Sequence, residues 1–471
     1  MCKTDCDKLF LYFSSSVLIV LMASLPFAQA VLTQGMSTLE YEINNALSEQ
    51  LTQTIQLENP TSLSILGGEL FVSLIINDTL RHYVMLSNFT SSAGDPTTLN
   101  DGSGKVYACW SNLTIEPGQS FNATLDYDVL SFAIRYSIDS HLITNYDKHS
   151  DLYQKYTQPE QLVQSDAPEI VAEARSIVKG AQGIHDMVFS IYSFVTSHVH
   201  YTSETEERGA LWALVNGTGD CSEYSYLFVA LCRAVGIPAR VNVGFGFQGS
   251  QGSMVEGHMW AEYYLQGYGW VPVDPTWNVF DAIDEKHFAT MKGESMDIPY
   301  SNYFFNFSSG PDSAEVKDSQ VVTLLDSPNS LRGDTLVQDA LTAVESVNEA
   351  RSAVTTSRFL GVPVFFGSEA ARVDQTLAAS ELNLQEALEN WETQPQTARS
   401  QILEAQSGGE EALRSAWMLV SYVFAMFIGA LMAIIIVAYL VVRRRSNKAE
   451  RTSAMKVRVG LRICWGTVSG M

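Results

Sequence analysis

Cysteine is scarce in this chain, six in 471 residues. Three of them, Cys109, Cys221 and Cys232, fall between the two long apolar runs near the ends, an odd number that leaves at least one free thiol. Cys221 and Cys232 sit on one helical stretch about 16 Å apart along its axis, which excludes a bond between them. Positive charge is thin as well. From Val31 to Ser415 there are 19 basic against 49 acidic residues, so this part is more acidic than the whole chain at −23. Such a surface repels phosphate backbones and excludes nucleic acid as an expected partner. No EF-hand spacing accompanies Asp281, Asp284 and Glu285, which read as a solvated acidic loop. His198 and His200, with no acidic or cysteine partner nearby, do not make a metal site. No cofactor and no metal are expected.

The ends of the chain set its surroundings. Lys3 and Lys8 precede an apolar run from Leu9 to Phe27 and then Ala28-Gln29-Ala30, the pattern of a signal peptide over residues 1–30 with the mature chain starting at Val31. An uncleaved signal anchor shares this composition, and either one directs the downstream chain out of the cytoplasm. Ala416 to Val442 carries no charge and would make about 40 Å of helix, enough for a transmembrane span. Trp417, Tyr422 and Tyr439 lie where an aromatic belt places them. Arg443, Arg444, Arg445 and Lys448 follow at once and assign the tail, 443–471, to the cytoplasm. The expectation is a single-pass protein of the cell membrane, with the membrane itself as one partner and residues 31–415 outside.

Chemistry concentrates between Gly209 and Trp277. Cys221 follows Gly219-Asp220 and opens a helical stretch, Ser222 to Val235, closed by Gly236-Ile237-Pro238. Asp220 and Glu223 form a capping-box variant, which makes Cys221 the first helical residue, at the end of a helix whose dipole favours an anion. After a strand pattern over Ala239 to Phe247 and a Gly/Ser-bearing loop, His258, Trp260, Glu262 and Tyr264 alternate with Met259, Ala261, Tyr263 and Leu265. A Gln266-Gly267 turn leads into a second strand, Tyr268 to Asp274. A hairpin centred on Gln266 sets His258 directly opposite Asp274, with Cβ atoms about 5 Å apart. Cys221 as nucleophile, His258 as base and Asp274 as the group orienting the imidazole are then the parts of thiol-based acyl chemistry. The backbone N–H of Cys221 is the natural oxyanion donor. Trp212 and Trp260 are candidates for lining a substrate groove.

The blocks GDCSEYSYLFVALCRAVGIPAR, HMWAEYYL and GYGWVPVDPTW resemble, in order and spacing, the three core blocks of the transglutaminase-like superfamily, here in a membrane-anchored surface form of prokaryotic type. The resemblance spans about residues 166–326 and implies a papain-like α+β fold, with the nucleophile on Cys221, the base on His258 and the acid on Asp274. Animal members of this superfamily carry an aromatic residue directly after the nucleophile. This chain has Ser222 there, which weighs against protein cross-linking, so hydrolysis of a protein or peptide substrate is the expected reaction, with cross-linking acyl transfer and a non-catalytic surface binding or structural module as the alternatives. The paired CxxC motifs of the related peptide N-glycanases are absent, which weighs against deglycosylation.

Flanking segments complete the expected layout. Residues 31–147 hold short apolar runs separated by turn signals: Leu51–Glu58, Glu69–Ile76, His82–Leu86, Val106–Trp110, Phe121–Tyr127 and Phe132–Tyr136. They predict an all-β sandwich. Sequons occur at Asn77, Asn88, Asn112, Asn122, Asn216 and Asn306. A glycan at Asn216 would crowd Cys221, so the other five form the expected glycosylated set. Residues 327–415 turn to Ala, Glu, Gln, Leu and Ser, with one helical stripe from Val337 to Val354 and another from Val373 to Trp391. They predict a helical hairpin serving as a stalk.

Overall fold

Along β1 (Tyr41–Glu58), Leu51, Gln53, Ile55 and Leu57 point inward, and the one polar member is satisfied by the Gln320 amide at 3.0 Å and the Tyr127 hydroxyl at 3.2 Å. The computed structural model describes residues 41–465 except 79–80, 101–104, 204–205, 250–251, 294–301, 326–334 and 392. The signal peptide expected over residues 1–30 lies outside the described residues. The described residues divide into two units, one of 41–348 with 378–409, the other of 349–377 with 410–465.

In the first unit, β2 (Ile65–Ser73), β3 (His82–Ser91), β4 (Thr97–Asn100), β5 (Val106–Ile115) and β6 (Ser120–Tyr136) follow β1. The two stretches expected as separate strands from Phe121 to Tyr136 are one strand, paired with β1 along almost its whole length. Farther on come β7 (His200–Tyr201), β8 (Thr218–Gly219), β9 (Ala239–Gly246), β10 (Ser253–Met254), β11 (His258–Leu265), β12 (Gly269–Asp274), β13 (Val279–Phe280) and β14 (Ala282–Ile283). The last are β15 (His287–Lys292), β16 (Tyr303–Asn306) and β17 (Lys317–Leu325). One sheet runs β10-β17-β1-β6-β14 with β3 also on β6, and a second runs β16-β2-β5-β4. Leu51, Ile55, Leu70, Trp110, Leu125 and Tyr127 fill the core they share. The sandwich expected to close at residue 147 is thus completed by β10, β14, β16 and β17, all from the segment expected to be catalytic. The reason is non-local pairing, since β17 lies antiparallel on β1 from Gln50↔Leu325 to Glu58↔Lys317.

The other sheet, β13-β12-β11-β9-β15, packs against the Cys221–Ala234 helix, itself flanked by helices Pro168–Ile177, Ile184–His198 and Ala210–Asn216. Every residue from Ser222 to Arg233 is buried, as an apolar surface almost all round requires. The helix stops where its sequence says: Gly236 takes φ +81, and Ile237 N–H reaches back to Cys232 C=O at 2.9 Å, a Schellman closure. A buried ion network joins this sheet to the segment before β3. The Glu262 carboxylate meets Arg240 at 2.6 Å, Arg81 at 2.8 Å and Lys292 at 3.3 Å, and Lys292 and Arg81 also pair with Asp78. Burial pushes Glu262 up, but the three cations outweigh it and hold the carboxyl far below its ordinary range.

Residues 335–465 form helices Thr335–Phe359, Val362–Phe365, Gly367–Asn390 and Pro395–Trp465. The expected hairpin is corrected to three long helices, and within the first unit they do not stand apart as a stalk: Val337, Ala340, Leu384, Leu388, Ala398 and Ile402 share one core with Tyr41 and Ile43. The third helix is inconspicuous in sequence because alanines supply much of its packed face. In the second unit, Arg358 pairs with Asp374 at 2.9 Å. Its final helix is long and apolar enough to cross a membrane, with a mean hydropathy of 2.8 in its most apolar window.

Candidate active site

Asp220 caps the central helix as its sequence predicts. Its carboxylate accepts from Ser222 N–H at 3.0 Å and Ser222 Oγ at 2.6 Å, while the Glu223 side chain returns to Asp220 N–H at 3.2 Å. Cys221 is the first helical residue and remains partly exposed, whereas Cys109 and Cys232 are buried. The short parallel pair β7–β8 fixes the chain just ahead of it, with Thr202 N–H donating to Gly219 C=O at 2.9 Å. Ser222 is buried with its hydroxyl spent on the cap, so the position next to the nucleophile presents no aromatic surface.

His258 begins β11 and is held by β9, paired with Gly244. Its Nε2 lies 2.8 Å from Asp274 Oδ2, and Cys221 is near enough to favour the charged form of the ring. The hairpin register differs from the expected one by two residues: Leu265 pairs with Gly269 and Ala261 with Val273, so His258 and Asp274 meet beyond the ladder rather than directly across it. A shift of two leaves every side chain on its own face, which is why the contact survives.

Asp274 is fully buried, and all its acceptor sites are used. Oδ1 takes the N–H groups of Thr276 at 2.9 Å and Trp277 at 3.0 Å, and Oδ2 takes His258 and, at 3.3 Å, His287 Nε2. Burial would push this carboxyl up; the two histidines outweigh it and keep it well below the usual range. Burial likewise disfavours charge on His258, but Asp274, with a smaller contribution from Cys221, raises the imidazole to about 9. An imidazole with one nitrogen held by a buried carboxylate keeps the other for a proton, and so has the form of a base for a nearby thiol.

Trp277 stacks flat on His258 with ring centroids 4.0 Å apart. Gly246 makes room for this pair, since any Cβ there would lie within 2.8 Å of both rings. Trp260, expected along a groove, is instead 2% exposed, edge-on to His287 and beside His258, so it supports the base from within. Trp212 is 36% exposed under the Arg208 guanidinium, and among the described residues no ring contact joins it to His258. The acidic loop is only in part solvated, since Asp281 is buried while Asp284 stays exposed. Asp281 is buried against His185 at 2.7 Å and Tyr263, Asp284 accepts from His287 Nδ1 at 2.6 Å, and Glu285 accepts from Asn45. His258, Asp274 and His287 offer three ligand-type atoms within 4.8 Å of one another, but hydrogen bonds within the cluster already occupy them. Sequence reasoning missed Trp277 and His287. The DPTW ending of the third block was the available signal for the first, and nothing local marks the second. All six sequon asparagines are exposed.

Residues 172–275 match the family model of the transglutaminase-like superfamily, a stretch that includes Cys221, His258 and Asp274. Over 75 residues the chain is 43% identical to an uncharacterized protein of Haemophilus influenzae, covering 12% of this chain and 20% of that one. Over 69 residues it is 36% identical to a protein-glutamine gamma-glutamyltransferase of Pseudomonas aeruginosa, covering 13% of this chain and 10% of that one. It thus spans a fifth or less of the length of these curated relatives. Among solved structures, a candidate cysteine protease from Cytophaga hutchinsonii superposes with a TM-score of 0.46 at 18% identity, over 60% of this chain and 99% of that one. The periplasmic domain of TgpA from Pseudomonas aeruginosa, bound to ethylmercury, gives 0.26 at 17% identity, over 54% and 95%. This chain carries a domain of the transglutaminase-like superfamily.

Proposed function

We propose that this protein is a membrane-anchored, outward-facing cysteine acyl hydrolase acting on peptide or amide bonds. Cys221 Sγ attacks the acyl carbon while His258 takes its proton, and the tetrahedral oxyanion is met by the Cys221 N–H, which has no partner within the first helical turn. Collapse expels an amine that leaves with the proton from His258. Water, deprotonated by the same imidazole, then cleaves the thioester and restores the thiol. Asp274 fixes the tautomer of His258 and stabilises its charged form. The observation that carries this reading is the 2.8 Å contact of the buried His258–Asp274 pair beside a partly exposed thiol at a helix start. Orientation rests on the apolar helix followed by Arg443, Arg444 and Arg445, and five exposed sequons, Asn77, Asn88, Asn112, Asn122 and Asn306, fit glycosylation on the outer side.

Acyl transfer to an amine is the second reading, favoured by the name of the Pseudomonas aeruginosa relative. Hydrolysis is preferred because Ser222 is a capping residue where an aromatic wall would help exclude water. The test incubates the full chain in detergent with a peptide mixture, with and without a primary amine, and reads products by mass. Cys221→Ala abolishes turnover and Asp274→Asn lowers it by up to about 10⁴-fold. Undiminished turnover in Cys221→Ala would overturn the mechanism, and amine adducts outweighing hydrolysis would overturn the preference for water.

A further inference from the structure

His287 lies outside the three residues that carry the proposed chemistry, yet it is built into them. It is 4% exposed, with Nε2 at 3.3 Å from Asp274 Oδ2 and Nδ1 at 2.6 Å from Asp284 Oδ1. An ionised carboxylate only accepts hydrogen bonds, so a ring facing one carboxylate oxygen with each nitrogen carries a hydrogen on both and is a cation. Trp260 and Trp277 pack against it edge-on at 5.1 and 4.9 Å, leaving no freedom to turn. The charged or titratable groups facing it are Asp274 from β12, Asp284 from the turn before β15 and, with ring centroids 5.5 Å apart, His258 from β11.

We propose that His287 is a positioning residue, a fixed imidazolium clamped by Asp284 that holds the Asp274 carboxylate in place for His258 and offsets part of its charge. Asp274 serves two cations when His258 is protonated, so His258 releases its proton more readily than it would beside an unshared carboxylate. Burial opposes charge on His287, but the two carboxylates outweigh it and raise the ring to about 9, in keeping with a cation at neutral pH.

The inference rests on the proposed roles of Cys221, His258 and Asp274, and its test uses a readout that needs no substrate. The rate of Cys221 alkylation by iodoacetamide is measured against pH on the full chain in detergent, with Cys221→Ala as the blank. The upper inflection of this profile reports loss of the His258 proton. In His287→Gln it moves upward by about one to two pH units, the effect of removing a unit charge some 5.5 Å away at an effective dielectric constant of about 20 to 40. Asp284→Asn, at a side chain 47% exposed and therefore tolerant of change, moves it the same way because His287 then loses its charge near neutrality. An unmoved inflection in Asp284→Asn, or in a folded His287→Gln, overturns the inference while leaving the triad standing. A wild-type Cys221 that resists alkylation overturns the triad reading and this inference with it.

Discussion

A methyl group added at Gly246 would lie 2.7 Å from Trp277 Cη2 and 2.8 Å from His258 Cδ2, roughly 0.6 Å inside the nearest ordinary carbon contact. Neither ring can yield freely. His258 is tied to Asp274 through Nε2, and Trp277 lies flat against it at 4.0 Å. Gly246→Ala therefore displaces the imidazole from its seat between Asp274 and Trp277. A misplacement approaching 1 Å between reacting groups costs about 10²-fold in rate, and that is the expected loss in turnover and in Cys221 alkylation. On stability two effects compete. Gly246 has no left-handed backbone angle, so alanine would restrict the unfolded chain and stabilise by about 0.4–1 kcal/mol, whereas overpacking costs about 1–3 kcal/mol. The expected net is a loss of about 1–2 kcal/mol, read by urea denaturation. Gly252→Ala, whose Cβ meets nothing closer than Leu324 O at 3.8 Å, is the control and should be silent. A Gly246→Ala protein with wild-type turnover and raised stability would refute the steric argument.

Glu262→Ala strips the carboxylate from three buried cations, Arg81, Arg240 and Lys292, and should cost about 3–5 kcal/mol in urea denaturation, far more than removal of an exposed acid such as Glu206. Stability should also depend on pH through His258 and His287. Each is raised from 6.5 to about 9, so the native state binds more protons than the unfolded chain between those values. The stabilisation is complete below about pH 6.5 and is lost as pH rises through 9, on the order of 3 kcal/mol for one histidine; a denaturation midpoint flat from pH 6.5 to 9.5 would contradict it.

What can be read from the sequence divides by distance along the chain. The setting of Cys221 is legible because it is local: Asp220 and Glu223 cap one another across three residues, and Gly236-Ile237-Pro238 stops the helix at its other end. His258 and Asp274 are legible by face but not by register, because alternation fixes which side a residue points to, while the turn fixes its partner. The chain places Gln266, Gly267 and Tyr268 in the loop, with Gly267 at φ +107 and Gly269 at φ +82, and this moves the ladder by two. Trp277 reaches His258 through the chain reversal that the Asp274 carboxylate itself caps, so one side chain both shapes the turn and orients the imidazole. His287 arrives from the far edge of the sheet, where β15 pairs His287 with Gly246. No periodicity records such a meeting. The same holds for β17, whose nine-residue pairing with β1 closes the sandwich across more than 250 residues of intervening chain. A one-dimensional pattern shows which residues want burial, and it is the pairing of distant strands that decides which of them share a site.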